Sequence, residues 1–185
     1  MTRITEGHLV RHYQGIKGGR DAALLDIAQD YALHLLHNTG LFDHGLIFKG
    51  GTALRKFRAG NAGRFSTDLD FAAPDEKLAL SALQALDGVE IDGFAFAIEN
   101  LGDDGRRGDL KVETPFGRPQ LGANVELARH ALSLKPETLD PVRLPVSRQV
   151  RLHPAADSGG ANRGSRLGEA RALPPSVPGA RPLRS

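Results

Sequence analysis

An α+β (mixed α/β) fold is what this 185-residue sequence predicts, on three observations. A long segment with helical spacing comes first. An apolar run broken by Gly50-Gly51 follows, and after it come several short stretches that alternate apolar and polar residues. Helices and strands of this kind, each apolar on one side only, stack as layers around one core.

Residues 19–38 read as the first long helix, because Leu24, Ala28, Tyr31 and Leu35 recur at helical spacing and Gly40 stands at the expected stop. Leu46-Ile47-Phe48 is too short for a helix and suits a buried strand, ended by Gly50-Gly51. Thr52 to Arg58 looks like the start of a helix, Gly60 to Gly63 like a turn, and Ser66 to Phe71 like a second strand closed by Pro74. Asp75 to Leu86 carries Leu78, Leu80, Leu83 and Leu86 in a helical pattern. From Val89 to Arg129 the period falls to two residues. Phe94, Phe96 and Ile98 alternate with small residues, Leu110, Val112 and Thr114 alternate with Lys111 and Glu113, and Val125 and Leu127 flank Glu126. Turns at Gly102-Asp103-Asp104-Gly105 and Pro115-Phe116-Gly117 separate these runs.

Residues 1–150 form the expected domain. Residues 151–185 hold five prolines, five glycines and no aromatic residue. Such a segment buries too little apolar surface to offset its ordering entropy, so a disordered tail is expected. The tail also carries six arginines against Asp157 and Glu169, a local charge of +4 within a net +2, which leaves the first 150 residues near −2. The high pI is therefore no sign that the folded body binds nucleic acid.

Hydrophobic content of 40% and charged content of 25% suit a water-soluble globular protein. No apolar run is long enough for a membrane span, and the first residues lack a secretory signal. With no cysteine, disulfides, thiolate metal sites and cysteine nucleophiles are excluded, and a cytoplasmic protein is expected. His34, His37, His44, His130 and His153 show no ligand-like spacing.

Chemistry concentrates in Phe48-Lys49-Gly50-Gly51-Thr52-Ala53-Leu54-Arg55-Lys56 and Arg64-Phe65-Ser66-Thr67-Asp68-Leu69-Asp70-Phe71. Asp68 and Asp70, two apart on a strand, project from one face. Two carboxylates so close are hard to keep ionised without a cation between them, and oxygen ligands of this kind suit Mg²⁺. Gly50 and Gly51, between a strand and a helix, let backbone N–H groups approach an anion closely. Thr52 can cap that helix or bond a phosphate oxygen, while Arg55 and Lys56, one turn on, offer it positive charge. Singly, a Gly-Gly pair is an ordinary turn and an Asp-x-Asp pair an ordinary solvated one. Together, at strand ends about a dozen residues apart, they point to a nucleoside triphosphate held against metal. No protein-kinase catalytic-loop pattern is present.

The stretch G-G-T-A-L-R…R-F-S-T-D-L-D-F resembles the first motif of the AbiEii family of nucleotidyltransferase toxins, which includes the MenT toxins of toxin–antitoxin pairs. The resemblance is tight over residues 46–73 and loose, in element order, over 20–145. It implies a nucleotidyltransferase fold like that of DNA polymerase β, Mg²⁺ held by Asp68 and Asp70, an NTP substrate, tRNA as acceptor, and a cognate antitoxin. It also implies that Ser66 lies beside the nucleotide, where an antitoxin can phosphorylate it in at least one member. A third carboxylate normally comes from a later strand. Glu126 is the first choice because apolar residues flank it, and Glu113 is the second. Lys111 is a candidate for the triphosphate.

Family members continue with a helix containing Glu-Lys-Leu and a later Arg-Asp-Leu-Tyr-Asp segment, and neither occurs here. Codons for residues 168–185 can be chosen so that a shifted frame reads both. The expectation is a frameshifted or alternatively terminated toxin that keeps the metal site. The alternative function is then a catalytically impaired chain that only binds its antitoxin.

Overall fold

A computed structural model describes residues 4–14, 19–60, 64–117, 119–129 and 137. The tail expected to be disordered lies outside the described residues. Two helices, α1 (Glu6–Tyr13) and α2 (Gly19–Asn38), lead into β1 (Ile47–Lys49) and the short α3 (Gly50–Leu54), which runs on as a π-helical turn, Arg55–Ala59. Then come β2 (Leu69–Ala73), α4 (Glu76–Gln84), β3 (Val89–Ile91), β4 (Phe94–Glu99), β5 (Arg107–Glu113) and β6 (Leu121–Arg129). The strands form one six-stranded sheet in the order β1-β2-β6-β5-β4-β3. Every neighbouring pair is antiparallel except β2 and β6, which run parallel.

The alternation in the sequence becomes the two faces of this sheet. In β6, Leu121, Ala123, Val125 and Leu127 are buried while Gly122, Asn124 and Glu126 are exposed. Gly108, Leu110 and Val112 of β5 and Phe94 and Phe96 of β4 continue the apolar face. Helices α2 and α4 cover it: Tyr31 stacks on Phe94 at 5.0 Å, and Leu83 lies beside Gly108. The other face stays polar and open, as an antiparallel sheet allows.

The expected helix over 19–38 is present with those bounds. Asp75 accepts from the Leu78 backbone N–H at 2.8 Å and so caps α4 rather than belonging to it. Other elements differ from the sequence expectation: α3 starts at Gly50 rather than Thr52, and α1 and β2 depart further. Helix α1 goes unread because its capping box uses His8 in place of the usual Glu or Gln: Thr5 accepts from the His8 N–H, and the His8 ring accepts from the Thr5 N–H. Strand β2 begins at Leu69, not at Ser66, since residues 66–68 are held by side chains from helices instead of by a strand partner.

Phe71 is fully buried between Phe48 at 5.1 Å and Phe42 at 6.5 Å, and it ties β2 to β1 and to the segment before it. Phe71→Ala is expected to lower unfolding free energy by about 3–5 kcal/mol. Urea unfolding measures this, and a midpoint that stays in place would show that the ring is not packed as described.

Candidate active site

The site is built by register. Lys49 of β1 pairs with Asp70 of β2, Asp70 with Glu126 of β6, and Glu126 with Arg107 of β5. Side chains directly opposite one another share a face. One row across four strands therefore reads positive, negative, negative, positive on the open side of the sheet. Burial pushes the Asp70 carboxyl above the usual carboxylate range; Lys49 opposes this, and the charges of Asp68 and Glu126 reinforce it.

Asp68 lies just before β2. Its Oδ1 accepts from the Asn124 amide and from the Thr67 hydroxyl, each at 3.2 Å. The fully buried Thr52 neither caps α3 nor faces solvent. Its hydroxyl donates to the Asp68 backbone carbonyl, which fixes the main chain at Asp68 against α3. Gln29 of α2 does the same for the preceding residues, donating to the Ser66 carbonyl at 3.1 Å.

Gly50 and Gly51 touch this loop directly. Gly50 has φ +78°, and a Cβ on it would stand 2.1 Å from the Asp70 Oδ2. Any side chain there would be strained and would displace the carboxylate. A Cβ on Gly51 would stand 3.3 Å from the Ser66 hydroxyl. The two motifs read separately in the sequence are thus one surface.

The expectation that Arg55 and Lys56 reach phosphates is corrected. Arg55 is 1% exposed and Lys56 3%, and both turn inward to Asp26 of α2, itself 0% exposed. Arg55 Nε donates to Asp26 Oδ1 at 3.0 Å, and its guanidinium lies 4.3 Å from the centre of the Phe65 ring. Lys56 Nζ donates to the Asp26 carbonyl at 2.8 Å and pairs with Asp30 at 2.7 Å. His12 of α1 completes the cluster, 2.8 Å from Asp26 Oδ2. A buried ion must find partners, and these two cations find theirs in the protein. Burial alone would raise the Asp26 carboxyl, but the Lys56 ammonium and the hydrogen bonds of His12 and Arg55 hold it far below the usual carboxylate range.

Other candidates are separated. Glu113 sits at the opposite end of β5 from Arg107, the residue paired with Glu126, so it is remote from the aspartates. Lys111 lies three strands from Gly50, across a cavity of about 270 Å³ that it shares with Asp68, Asp109 and Asn124. His34 is buried and bonded to Asn38. Sequence reasoning missed Asp26, whose signal is a lone charge in Leu24-Leu25-Asp26-Ile27-Ala28, and Lys49, Gln29 and Asn124, which no local pattern marks.

Among the described residues no three or more histidine, aspartate or glutamate side chains are grouped closely enough to hold a metal ion by themselves. Asp68, Asp70 and Glu126 instead offer an open acidic edge. That suits Mg²⁺, which keeps waters and adds substrate phosphates to one or two carboxylates.

The profile of a family described as nucleotidyl transferase AbiEii toxin of type IV toxin–antitoxin systems matches residues 34–150, from late α2 past β6. The chain belongs to the AbiEii family. A solved structure titled MenT4, nucleotidyltransferase toxin Rv2826c from Mycobacterium tuberculosis H37Rv, is 45% identical with a TM-score of 0.73. The match covers 80% of this chain and 51% of that one, so the chain spans about half the length of the MenT4 structure. The expected nucleotidyltransferase fold is thereby shown. No curated protein sequence matches. No described helix of this AbiEii chain is long and apolar enough to cross a membrane.

Asp26→Asn is expected to lower stability by about 3–5 kcal/mol at neutral pH, because it leaves two buried cations short of their carboxylate. The folded Asp26 value is depressed, so its contribution is full above the ordinary carboxylate pKa of about 4 and is lost as pH falls toward the folded value. Denaturant unfolding of both proteins should show a gap that narrows below that pH. Equal stabilities at pH 7 would refute the cluster's role.

Proposed function

We propose that this AbiEii chain is a Mg²⁺-dependent nucleotidyltransferase toxin that moves NMP from an NTP to the 3′ end of tRNA, blocks translation, and is neutralised by a cognate antitoxin. One observation carries the reading: the Gly50-Gly51 turn lies directly against Asp70 and Ser66, with Asp68 and Glu126 alongside. Family membership supports the reaction class, and tRNA as acceptor follows from the resemblance of the motif.

The backbone at Gly50 and Gly51 would hold the triphosphate, with Ser66 beside it and Lys49 supplying charge at the β1 end of the row. Asp68, Asp70 and Glu126 would hold the metal, which when bound supplies Lewis-acid charge at the α-phosphate. The acceptor 3′ oxygen forms a bond to the α-phosphorus, the bond from that phosphorus to the β-phosphate oxygen breaks, and pyrophosphate leaves. The hydroxyl proton passes to solvent. Thr52, Gln29 and Asn124 act on this step by fixing the loop from Ser66 to Asp68. The second reading is a chain that binds its antitoxin without transfer.

The test is incubation of the full chain with each labelled NTP, Mg²⁺ and total tRNA. Transfer of label is expected, and Asp68→Asn or Asp70→Asn should each reduce it by about a hundredfold or more with the fold retained. No label from any NTP would leave only the antitoxin-binding reading, while full activity in Asp70→Asn would remove the metal assignment. Gly50→Ala should lose activity comparably, since the new methyl group occupies the place of the Asp70 carboxylate. Its stability cost should exceed the roughly 1–2 kcal/mol strain of a left-handed residue with a side chain, because the methyl group also meets Asp70 out to its Cβ. Retained transfer in that variant would show that the contact is not needed.

A further inference from the structure

The polar cavity beside Asp68 has no role in the reading above. It lies over β6 and β5, on the side of the carboxylates away from Gly50 and Gly51. In-line displacement puts the attacking oxygen and the leaving pyrophosphate on opposite sides of the phosphorus. With the triphosphate on the Gly-Gly side, the attacking hydroxyl must come from the side of this cavity.

Its size and lining suit one end of an RNA strand. About 270 Å³ is roughly the space of nine waters, enough for a sugar and its phosphate but too small for a whole nucleoside triphosphate. Lys111 Nζ lies over Gly122, 4.0 Å from where a Cβ would stand, so the absence of a side chain there opens room for the ammonium. Its ion partner, Glu99, is 4.0 Å away and exposed, a pairing too weak to occupy the charge. Asp109 is held by the Asn100 amide, which donates to Oδ2 at 2.7 Å. Among the described residues nothing donates to its Oδ1, and that oxygen is left to accept from a ligand hydroxyl. Asn124, between Asp109 and Asp68, already fixes the Asp68 carboxylate at the cavity wall.

We propose that this cavity seats the 3′-terminal ribose of the acceptor, with Lys111 at that nucleotide's phosphate and Asp109 accepting a hydrogen bond from its 2′-hydroxyl. The proposal rests on the transferase reading and deepens it. It moves Lys111 from the triphosphate to the acceptor and gives the protein a means of telling an RNA end from a DNA end, since the 2′-hydroxyl is the group that differs.

The experiment uses the full chain, Mg²⁺, the preferred NTP, and two RNA oligonucleotides identical except that one ends in a 2′-deoxynucleotide with its 3′-hydroxyl intact. The wild type should favour the ribose end by about tenfold, the worth of one hydrogen bond, and Asp109→Ala should abolish that preference. Lys111→Gln should raise the KM for the oligonucleotide but not for the NTP. Oligonucleotide binding, followed by anisotropy without turnover, should weaken in Lys111→Gln and lose about one unit of salt slope. Both residues are on the polar face, so neither change disturbs the core. Transfer with undiminished ribose preference in Asp109→Ala, or a rise in NTP KM for Lys111→Gln, overturns the cavity assignment alone. Lys111-dependent binding without any transfer overturns the transferase reading alone, and RNA binding that is identical in wild type and Lys111→Gln overturns the assignment whether or not transfer occurs.

Discussion

At the end of β1 the backbone of Gly50 occupies the space any side chain would take from the carboxylate of Asp70, with a would-be Cβ at 2.1 Å. That close approach sets where β1 can end, how α3 can start and how Asp70 must point. The positive φ of Gly50 turns the chain so that Gly51 meets Ser66 and Thr52 reaches the Asp68 carbonyl. Partial burial is the first cause of the raised pKa of this carboxylate. Glycine takes this conformation without a steric penalty, at the point where the acidic edge and the turn have to meet.

Behind this surface, the buried cluster of Asp26, Arg55, Lys56, Asp30 and His12 acts as a fastening between α1, α2 and the turn that follows α3. An apolar plug of the same volume would hold these elements with less desolvation, so the cluster is poor evidence for stability as such. What the ions add is direction: a carboxylate that accepts from three partners permits one relative placement of the helices. Through Gln29, one turn along α2, that placement is passed to the Ser66 carbonyl and so to the loop of the acidic edge.

Much of the fold is legible in the sequence, because it depends on local periodicity. The bounds of α2, the break at Gly50-Gly51 and the alternation along Val125-Glu126-Leu127 all follow from spacing within a few residues. The same holds for Asp68 and Asp70 as a pair. Side-chain direction after a turn is not local. Whether Arg55 and Lys56 face a ligand or the core depends on where α2 lies and on Asp26, about thirty residues earlier. The choice between Glu126 and Glu113 is likewise a matter of strand order: both stand in alternating stretches, and only the pairing of β6 with β2 sets them apart. For Lys111 the missing information is lateral, since its place three strands from Gly50 has no trace in the sequence between them.

The last described strand in the chain, β6, lies between β2 and β5, and its parallel pairing with β2 joins Glu126 to Asp70. The contact from Asn124 to Asp68 spans 56 residues of sequence. Such pairings close late, because loop entropy must be overcome before they contribute. A chain still emerging from the ribosome can form α2, α4 and the β3–β4–β5 meander while its acidic edge remains in two unjoined pieces. The arrangement delays assembly of the acidic edge until synthesis has passed β6, the strand that joins its two halves.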